Sequence, residues 1–294
     1  MKILILGGAG MLGHQIYIKT REAFGASTVA LTLRKAQIQY EKFGIFNDAK
    51  VFDNLDILDF SNVLKILDQF KPQVVINCIG LTLRKKELAD IEKCYSVNGV
   101  LPHKIAMWGQ FNNCKIIHFS TDCVFDGSQG NYKETDVPTA LDSYGQSKFL
   151  GEIQSPNSLT LRLSIVGREL EAKTELVEWF LSQKGKTIQG YSNAIYSGLT
   201  TNFVAHEVVK IIKNFPKLSG LYHLASEPIS KFELLKIVNQ VYSTKIEIIE
   251  NSNYKSDKSL NSDRYSSATG FVKPKWQDLI LQMKNEEQVN YDQR

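Results

Sequence analysis

The chain has 294 residues, 43% of them hydrophobic and 22% charged, which is ordinary for a globular protein with a sizeable core. Its 35 basic and 31 acidic residues give a formal charge of only +4, too small and too dispersed to indicate a nucleic-acid partner. The opening apolar run from Ile3 to Leu6 is far too short to cross a membrane, so we expect no membrane partner either.

The cysteines are Cys78, Cys94, Cys114 and Cys123, and none of them forms a CxxC pair or accompanies a histidine cluster. This spacing predicts no metal site. Several of them lie in or beside apolar, strand-like runs, where a buried free thiol is the usual state. Together with the absence of a recognisable signal peptide, the free thiols indicate a reducing environment, and we expect a cytoplasmic protein.

The first predicted strand, residues 2–6, runs directly into closely spaced glycines and then into an apolar-periodic helix. The glycines read as Gly8-x-Gly10-x-x-Gly13 and equally as Gly7-x-x-Gly10-x-x-Gly13. Because glycine has no Cβ, such a turn lets the backbone approach a ligand and aims helix N–H groups at a phosphate. The position after a strand and before a helix is the context of a dinucleotide-binding loop.

The end of the second predicted strand bears on the choice of cofactor. An acidic residue about 20 positions past the glycine loop would accept the adenosine ribose hydroxyls and favour NAD. Here the strand is followed by Arg34 and Lys35, and no carboxylate appears before Glu41. Two cations can hold a ribose phosphate, so we predict NADP(H) as the cofactor and keep NAD(H) as the alternative. The other interpretation of the pair is two solvated charges at a strand end.

Strand-length apolar runs alternate with helical patterns through the first half, which predicts an α/β fold with a doubly wound parallel sheet of the Rossmann type. The predicted strands are residues 2–6, 28–33, 50–52, 74–78, 115–120 and 158–163. The predicted helices lie near residues 11–20, 61–70, 92–109 and 144–153.

The regular alternation of strand and helix patterns ends after residue 163. This change predicts a smaller C-terminal substrate-binding lobe covering the carboxyl ends of the strands. We therefore expect a dinucleotide-binding domain over 1–165, joined by later elements near 200–225, and a partly interleaved lobe over 166–294. The stretch 251–267 is polar and loop-like. The predicted elements are helices near 174–183, 202–214, 230–242 and 276–283, strands near 221–224 and 246–249, and short turn-rich pieces over 185–201.

The strand at 115–120 ends in Ser120, Thr121 and Asp122. At the carboxyl end of a parallel sheet, the hydroxyl of Thr121 can hold a substrate oxygen. All three residue types also cap helices and turns well, and that is the alternative interpretation.

Tyr144 and Lys148 are four residues apart in a predicted helix, which places them one turn apart on the same face. A phenol with a reference pKa of roughly 10 is a poor acid or base at neutral pH. We expect the Lys148 ammonium to lower the pKa of Tyr144 towards the working range and to hold a cofactor ribose. A helix surface pair is the alternative.

The glycine loop, the run Ser-Thr-Asp-Cys-Val-Phe-Asp-Gly over 120–127 and Tyr144-x-x-x-Lys148, in that order, resemble the extended short-chain dehydrogenase/reductase superfamily. Within it, the second motif is similar to the dTDP-4-dehydrorhamnose reductase family of nucleotide-sugar reductases. The similarity reaches the segments around 97–102, 161–163, 260–264 and 274–276, and so covers nearly the whole chain.

The resemblance implies a role for each matching residue of the reacting centre. Tyr144 would be the general acid that protonates the forming alkoxide, with Lys148 tuning it and holding the nicotinamide ribose. Thr121 would hydrogen-bond the reacting oxygen. Asp122 and Cys123 would join Thr121 in contacting the substrate.

The resemblance also implies a cofactor site. Asp56 and Ile57 match the family's pair beside the adenine. Asn98 would lie in the helix beneath the active site, where a structural hydrogen bond to the backbone is its alternative role. The residues implied to line the pyrophosphate turn are Gly7, Gly10, Met11, Leu12 and Gly13.

Arg162 and Arg264 are candidates for binding the diphosphate of a nucleotide sugar, because guanidinium groups suit phosphate geometry. Structural salt bridges are the alternative for both. His14, on the first helix, is expected at the surface or on the phosphate side.

The reaction class follows from what stands beside Thr121. A dehydratase of this superfamily would be expected to have Thr-Asp-Glu, whereas Cys123 here replaces the base. Epimerases retain the Tyr and Lys but typically hold NAD tightly, which the basic strand end disfavours. We therefore expect NADPH-dependent reduction of a nucleotide-linked 4-keto-6-deoxysugar for a surface polysaccharide. An epimerase and a non-catalytic regulatory subunit are the alternatives, and the resemblance also allows a homodimer.

Overall fold

The computed structural model describes residues 1–82, 90–289 and 291. Seven parallel strands form one twisted sheet in the order β11-β6-β5-β4-β1-β2-β3. These strands are β1 (Ile3–Leu6), β2 (Val29–Thr32), β3 (Lys50–Phe52), β4 (Val74–Asn77), β5 (Lys115–Thr121), β6 (Ser158–Leu163) and β11 (Gly220–His223).

Helices cover both faces of this sheet, and further helices belong to the C-terminal part. They are α1 (Gly13–Phe24), α2 (Phe60–Phe70), α3 (Ile91–Cys94), α4 (Leu101–Phe111), α5 (Ser143–Leu150), α6 (Leu176–Leu181), α7 (Thr201–Asn214), α8 (Lys231–Tyr242), α9 (Asp263–Thr269) and α10 (Trp276–Asn285).

The central strands are buried on both faces, which explains their almost continuous apolar sequence. Along β1, Ile3 and Ile5 point into the apolar cluster that contains residues of α1 and α7. Leu4 points the other way, into the cluster formed with α2 and α4. One short strand therefore joins two cores, because successive side chains alternate between the faces of a sheet.

The sequence-based prediction of a doubly wound parallel sheet is confirmed. The six strands predicted in the first half are present with bounds that agree to within one residue. β11 pairs in parallel with β6 at the edge of the same sheet, with Leu221 opposite Thr160. The division into domains at residues 165/166 stays a prediction.

The helix predicted over 92–109 is interrupted. Between α3 and α4 lies one turn of π-helix, Tyr95–Val100. Pro102 stands in the first turn of α4 and has no N–H to donate to the carbonyl four residues earlier, that of Asn98. Gly151 approaches that same carbonyl so closely that a Cβ would collide with it.

The C-terminal part contains short strands, of which the sequence pattern predicted only the one near residues 246–249. Three of them, β12-β9-β14, form a small sheet, and two pairs, β13-β8 and β10-β7, are parallel. These strands are β7 (Ile165–Val166), β8 (Thr187–Tyr191), β9 (Ala194–Tyr196), β10 (Leu199–Thr200), β12 (Ile229–Ser230), β13 (Glu247–Asn251) and β14 (Ser256–Asp257).

The prediction of a loop over 251–267 is wrong in part, because β14 and the start of α9 lie within it. β14 is held by backbone pairing with β9 and by the Asp257 N–H, which donates to Gly127 O. The small sheet thereby packs against the loop that follows β5. Among the described residues, no helix combines the length and the apolar character that a membrane crossing requires.

Candidate active site

The glycine loop connects β1 to α1 at the carboxyl edge of the sheet. Gly7 has a positive φ of 83°, and a Cβ on Gly13 would collide with Gly7 O. Gly8 instead packs against Leu31 of β2, where a side chain would also collide. The loop is therefore built on Gly7, Gly10 and Gly13, and Gly8 is required for packing against β2, so the structure favours the Gly7-x-x-Gly10-x-x-Gly13 reading.

The same loop suits a pyrophosphate. Gly10 is exposed, and a Cβ there would approach only Gly7 O, at 3.3 Å. Leu12 precedes α1 and provides no side-chain cap for the N–H groups of its first turn. An open backbone surface at an uncapped helix N-terminus can accept an anion without side-chain obstruction. Met11 lies half-buried at this turn.

The residues predicted for the adenosine end lie at the neighbouring strand ends. Arg34 and Lys35 are exposed just past β2. The Lys35 Nζ contacts Glu171 Oε1 at 2.6 Å. Asp56 is exposed after β3 and accepts a hydrogen bond from the Leu58 N–H at 3.0 Å, and Ile57 beside it is half-buried.

Thr121, the last residue of β5, meets Tyr144 of α5. The two side chains lie close together, and Thr121 Oγ1 donates to Asp122 Oδ1 at 3.2 Å. Thr121 Oγ1 also accepts from the Cys123 N–H at 3.1 Å. Asp142 fixes the start of α5 by accepting from the Gly145 N–H at 2.8 Å. The cap and the turn after β5 thus bring two residues, 23 positions apart in sequence, to one point.

Lys148 lies one turn after Tyr144 and is buried. Its Nζ donates to Phe119 O at 2.6 Å. Burial lowers the pKa of Lys148 to about 8, and the nearby Glu152 carboxylate opposes that shift. The ammonium therefore stays charged at neutral pH.

Burial raises the pKa of Tyr144 well above its ordinary value, and nearby Cys123 and Asp122 add to the rise. The expectation that Lys148 brings this pKa towards neutrality is wrong in this structure. Desolvation dominates at the phenol, and the Lys148 ammonium is bound to the Phe119 carbonyl. A phenol of raised pKa keeps its proton at neutral pH but releases it less readily than a general acid whose pKa lies near the working pH.

Asp122 and Cys123 follow in the turn after β5. Asp122 is buried, and burial raises the pKa of its carboxyl, while Lys231 and Lys258 nearby oppose the rise. The Tyr196 hydroxyl is buried near Asp122 without a hydrogen-bond partner in the described part of the chain. The two lysines follow β12 and β14, and the sequence pattern did not single them out because those strands are only two residues long.

Arg162 does not lie where a diphosphate can reach it. Its guanidinium is 2% exposed and binds both carboxylate oxygens of Glu152, at 2.6 and 2.7 Å. A third contact joins its Nη1 to His223 Nε2 at 3.2 Å. The structural ion pair, which was the alternative, is what the structure shows for this residue.

Arg264 is exposed, and its guanidinium carbon lies 4.8 Å from the ring centroid of Tyr222. Tyr222 belongs to β11, the outer strand and two strands away from Thr121 in β5. The structure does not bring Arg264 to the reacting centre.

His14 is buried, so of its two expected positions, at the surface or on the phosphate side, the first is wrong. Its Nδ1 donates to Gly10 O at 2.9 Å, and its Nε2 contacts Tyr291 Oη at 2.9 Å. Burial lowers the pKa of His14 to about 4, so the ring is neutral. It supports the glycine loop from behind.

Asn98 takes its structural role. Its Oδ1 accepts from the Leu81 N–H at 2.8 Å, and its Nδ2 donates to Leu81 O at 3.1 Å and Ser147 Oγ at 3.2 Å. It thereby ties the chain after β4 to α5. The four cysteines are free thiols, and no metal-binding cluster occurs within the described ranges.

A dinucleotide-type loop and a Thr-Tyr-Lys group shared by a sheet strand and the helix beside it define the class of protein: an NAD(P)-dependent oxidoreductase of the extended short-chain dehydrogenase/reductase type. Comparison with known proteins then gives the family. Residues 1–288 match the model of the RmlD substrate binding domain, and the chain belongs to that family.

Relatives of similar sequence include a dTDP-4-dehydrorhamnose reductase from Aggregatibacter actinomycetemcomitans, 31% identical over 238 residues, covering 77% of this chain and 74% of that protein. A probable low-salt glycan biosynthesis reductase, Agl14 of Haloferax volcanii, is 28% identical over 248 residues, covering 77% and 75%. The mouse methionine adenosyltransferase 2 subunit beta is 23% identical over 251 residues, covering 79% and 70%.

Solved structures share the fold along nearly the whole chain. A dTDP-4-dehydrorhamnose reductase from Bacillus anthracis in complex with NADP superposes with a TM-score of 0.78 at 21% identity, covering 98% of this chain and 99% of that one. A hypothetical dTDP-4-dehydrorhamnose reductase from Sulfolobus tokodaii gives 0.76 at 27% identity, covering 94% and 98%.

Proposed function

We propose that the protein reduces the ketone of a nucleotide-linked 4-keto-6-deoxysugar with NADPH. The observation that carries this proposal is the approach of the Tyr144 side chain to that of Thr121, with the charged Lys148 one helical turn away. The relatives named as reductases support nucleotide-sugar keto reduction. The names of Agl14 and of the Bacillus subtilis spore coat polysaccharide biosynthesis protein SpsK support a role in making a surface glycan.

Tyr144, Thr121 and Lys148 carry out the proton transfer of the reduction. The substrate carbonyl oxygen lies between the Tyr144 and Thr121 hydroxyls, which hold it in place and polarise it. Tyr144 gives its proton to that oxygen as the carbonyl becomes an alcohol. The bound reduced nicotinamide supplies the hydride that the carbonyl carbon accepts. Lys148 stabilises the phenolate that remains on Tyr144 until a solvent proton restores it.

The preference for NADPH over NADH rests on Arg34 and Lys35 at the end of β2. A 2′-phosphate placed there would gain two cationic partners, whereas a 2′-hydroxyl would gain only weaker hydrogen bonds. The Bacillus anthracis structure holds NADP, and that of WbmH from Bordetella bronchiseptica holds NAD⁺. We assign the substrate to the C-terminal lobe of 166–294 and the protein to the cytoplasm.

Replacing Tyr144 tests the mechanism. Tyr144→Phe keeps the ring and removes the proton, so turnover should fall by roughly 10²- to 10⁴-fold, the usual contribution of a general acid. NADPH affinity should stay within about twofold, because the loop and strand ends are untouched. Single-turnover NADPH oxidation and calorimetric titration measure the two quantities. Unimpaired reduction by this variant would remove Tyr144 from the mechanism.

A non-catalytic subunit is the second candidate, because several relatives are methionine adenosyltransferase 2 beta subunits. NADPH oxidation by the purified protein with a panel of keto nucleotide sugars separates the two functions. Turnover of any of them supports the reductase. No turnover, together with tight binding to another enzyme, supports the subunit. Conversion of a sugar without net NADPH consumption would indicate the epimerase.

A further inference from the structure

The segment from Arg168 to Glu175 runs along the carboxyl edge of the sheet, close to the predicted cofactor site. At its start, the Arg168 Nε is 2.6 Å from Glu178 Oε1 and its Nη1 is 2.8 Å from Glu287 Oε1. At its end, Glu175 Oε1 accepts from Thr82 Oγ1 at 3.2 Å, just past β4. The segment is thus fixed at both ends to other parts of the molecule.

Between these points, Glu171 reaches the end of β2. Its Oε1 lies 2.6 Å from the Lys35 Nζ, although the two residues are 136 positions apart. Tyr40 lies near the same carboxylate, and burial together with the Glu171 charge raises the pKa of Tyr40 to about 12. Both Glu171 and Lys35 are partly exposed, so a ligand can reach them.

The Glu171 carboxylate lies at the end of β2, where the sequence itself has no acidic residue. In NAD-binding sites of this fold, the carboxylate that accepts the ribose hydroxyls stands at the end of the second strand. In this chain β2 is followed by cations, and the carboxylate arrives from the C-terminal part. One ammonium, that of Lys35, therefore faces a carboxylate at the place predicted for a 2′-phosphate.

We propose that Glu171 determines the selectivity of this protein between NADPH and NADH. Its carboxylate competes with the 2′-phosphate of NADPH for Lys35 and accepts a hydrogen bond from the 2′-hydroxyl of NADH. Glu171 therefore reduces the preference for NADPH over NADH that Arg34 and Lys35 create. The inference rests on the proposed cofactor site at the end of β2.

The test is a Glu171→Gln variant titrated with NADPH and with NADH, without substrate. The amide has the shape of the carboxylate but no charge, so NADPH should bind about two- to fivefold more tightly, the size expected for relief of one exposed charge contact. NADH should bind unchanged or up to about threefold more weakly. The gain for NADPH should shrink in high salt, because exposed charges are screened.

Glu233→Gln is the matched control. Glu233 forms a comparable exposed pair with Lys236 at 3.1 Å on α8. Its replacement should leave both dissociation constants unchanged. Equal tightening of NADPH and NADH by Glu171→Gln, or no change in their ratio, would overturn the proposal.

A Lys35→Gln variant separates this inference from the proposed cofactor site. If it weakens NADPH and spares NADH while Glu171→Gln changes nothing, the site stands and the role of Glu171 is refuted. If Lys35→Gln leaves the ratio unchanged, the cofactor site itself is misplaced. Because every readout is a binding constant, failure of the proposed sugar reduction would not affect the result.

Discussion

At the scale of single residues, Tyr144 and Lys148 are tuned in opposite directions by the same burial. Desolvation raises the pKa of the phenol and lowers that of the ammonium to about 8. Each shift favours the neutral form of the side chain, but only the pKa of Lys148 falls in the pH range in which enzymes work. Glu152, also buried, limits the fall and keeps Lys148 charged at pH 7.

The pH dependence of the reduction should therefore follow Lys148. Because the ammonium is needed and its pKa is about 8, kcat/KM should decline as pH rises through about 8. In Lys148→Arg the decline should move to much higher pH, since a guanidinium keeps its proton below about 12. Steady-state kinetics from pH 6 to 10, on variants shown to bind NADPH, measure this. A decline at the same pH in Lys148→Arg would assign it to another group.

At the scale of elements, the turn between β1 and α1 uses its glycines for different purposes. Gly13 is needed because α1 passes against Gly7 O, and Gly8 because the turn passes against β2. Gly10 is exposed, and a Cβ there would meet only Gly7 O, at 3.3 Å. Packing therefore constrains the first two positions, whereas Gly10 is left for a ligand.

Two alanine substitutions should separate these roles. Gly10→Ala should keep nearly the wild-type thermal stability and lose at least about tenfold in NADPH affinity, because its methyl group faces the space for the pyrophosphate. Gly13→Ala should weaken NADPH binding and, in addition, lower the free energy of unfolding by roughly 1–3 kcal/mol, because its methyl group overpacks the turn. Thermal unfolding and NADPH titration measure the two effects. Unaltered NADPH affinity in Gly10→Ala would show that the cofactor does not use this turn.

A second element-scale feature is the buried network beneath Thr121. Glu152 Oε1 accepts from Ser120 Oγ at 2.7 Å and also binds Arg162. His223 continues the network to the edge strand β11. Removing one partner of such a buried pair typically costs about 3–5 kcal/mol, so we interpret Arg162 as a residue of the fold.

At the scale of the whole molecule, distant parts of the chain support the site from behind. Tyr291 contacts both His14 and Gln15 of α1. The Arg168 guanidinium carbon lies 4.6 Å from the centroid of the Tyr291 ring. His223 lies in β11, the strand at one edge of the sheet. Buried, neutral histidines thus occur both beneath the glycine loop and at the edge of the sheet.

The free energy of unfolding should decrease in mild acid. Burial lowers the pKa of His14 to about 4 and that of His223 to about 3, and it lowers that of His118 well below 6.5. Below pH 6.5 the unfolded chain binds protons that the folded chain does not. The stability present above pH 6.5 is therefore lost as pH falls towards 4, by up to about 1.4 kcal/mol per pH unit for each histidine.

Urea unfolding at pH 7 and pH 5 measures this loss. His14→Gln should lower the number of protons taken up on unfolding in this pH range by about one, and so weaken the pH dependence. Equal stability at the two pH values would contradict the assignment of the buried histidines as neutral.

Local sequence determined the fold class and singled out the candidate catalytic residues. Alternating apolar runs specified the six strands, and spacing alone placed Tyr144 and Lys148 on one helix face, because strand and helix periods are properties of neighbouring residues. Only the tertiary structure decided the burial of Arg162 and His14, the direction of the Tyr144 pKa shift and the approach of Glu171 to Lys35. These depend on desolvation and on charges contributed by segments far apart in the chain, and no local pattern encodes which distant segment will pack against a given side chain.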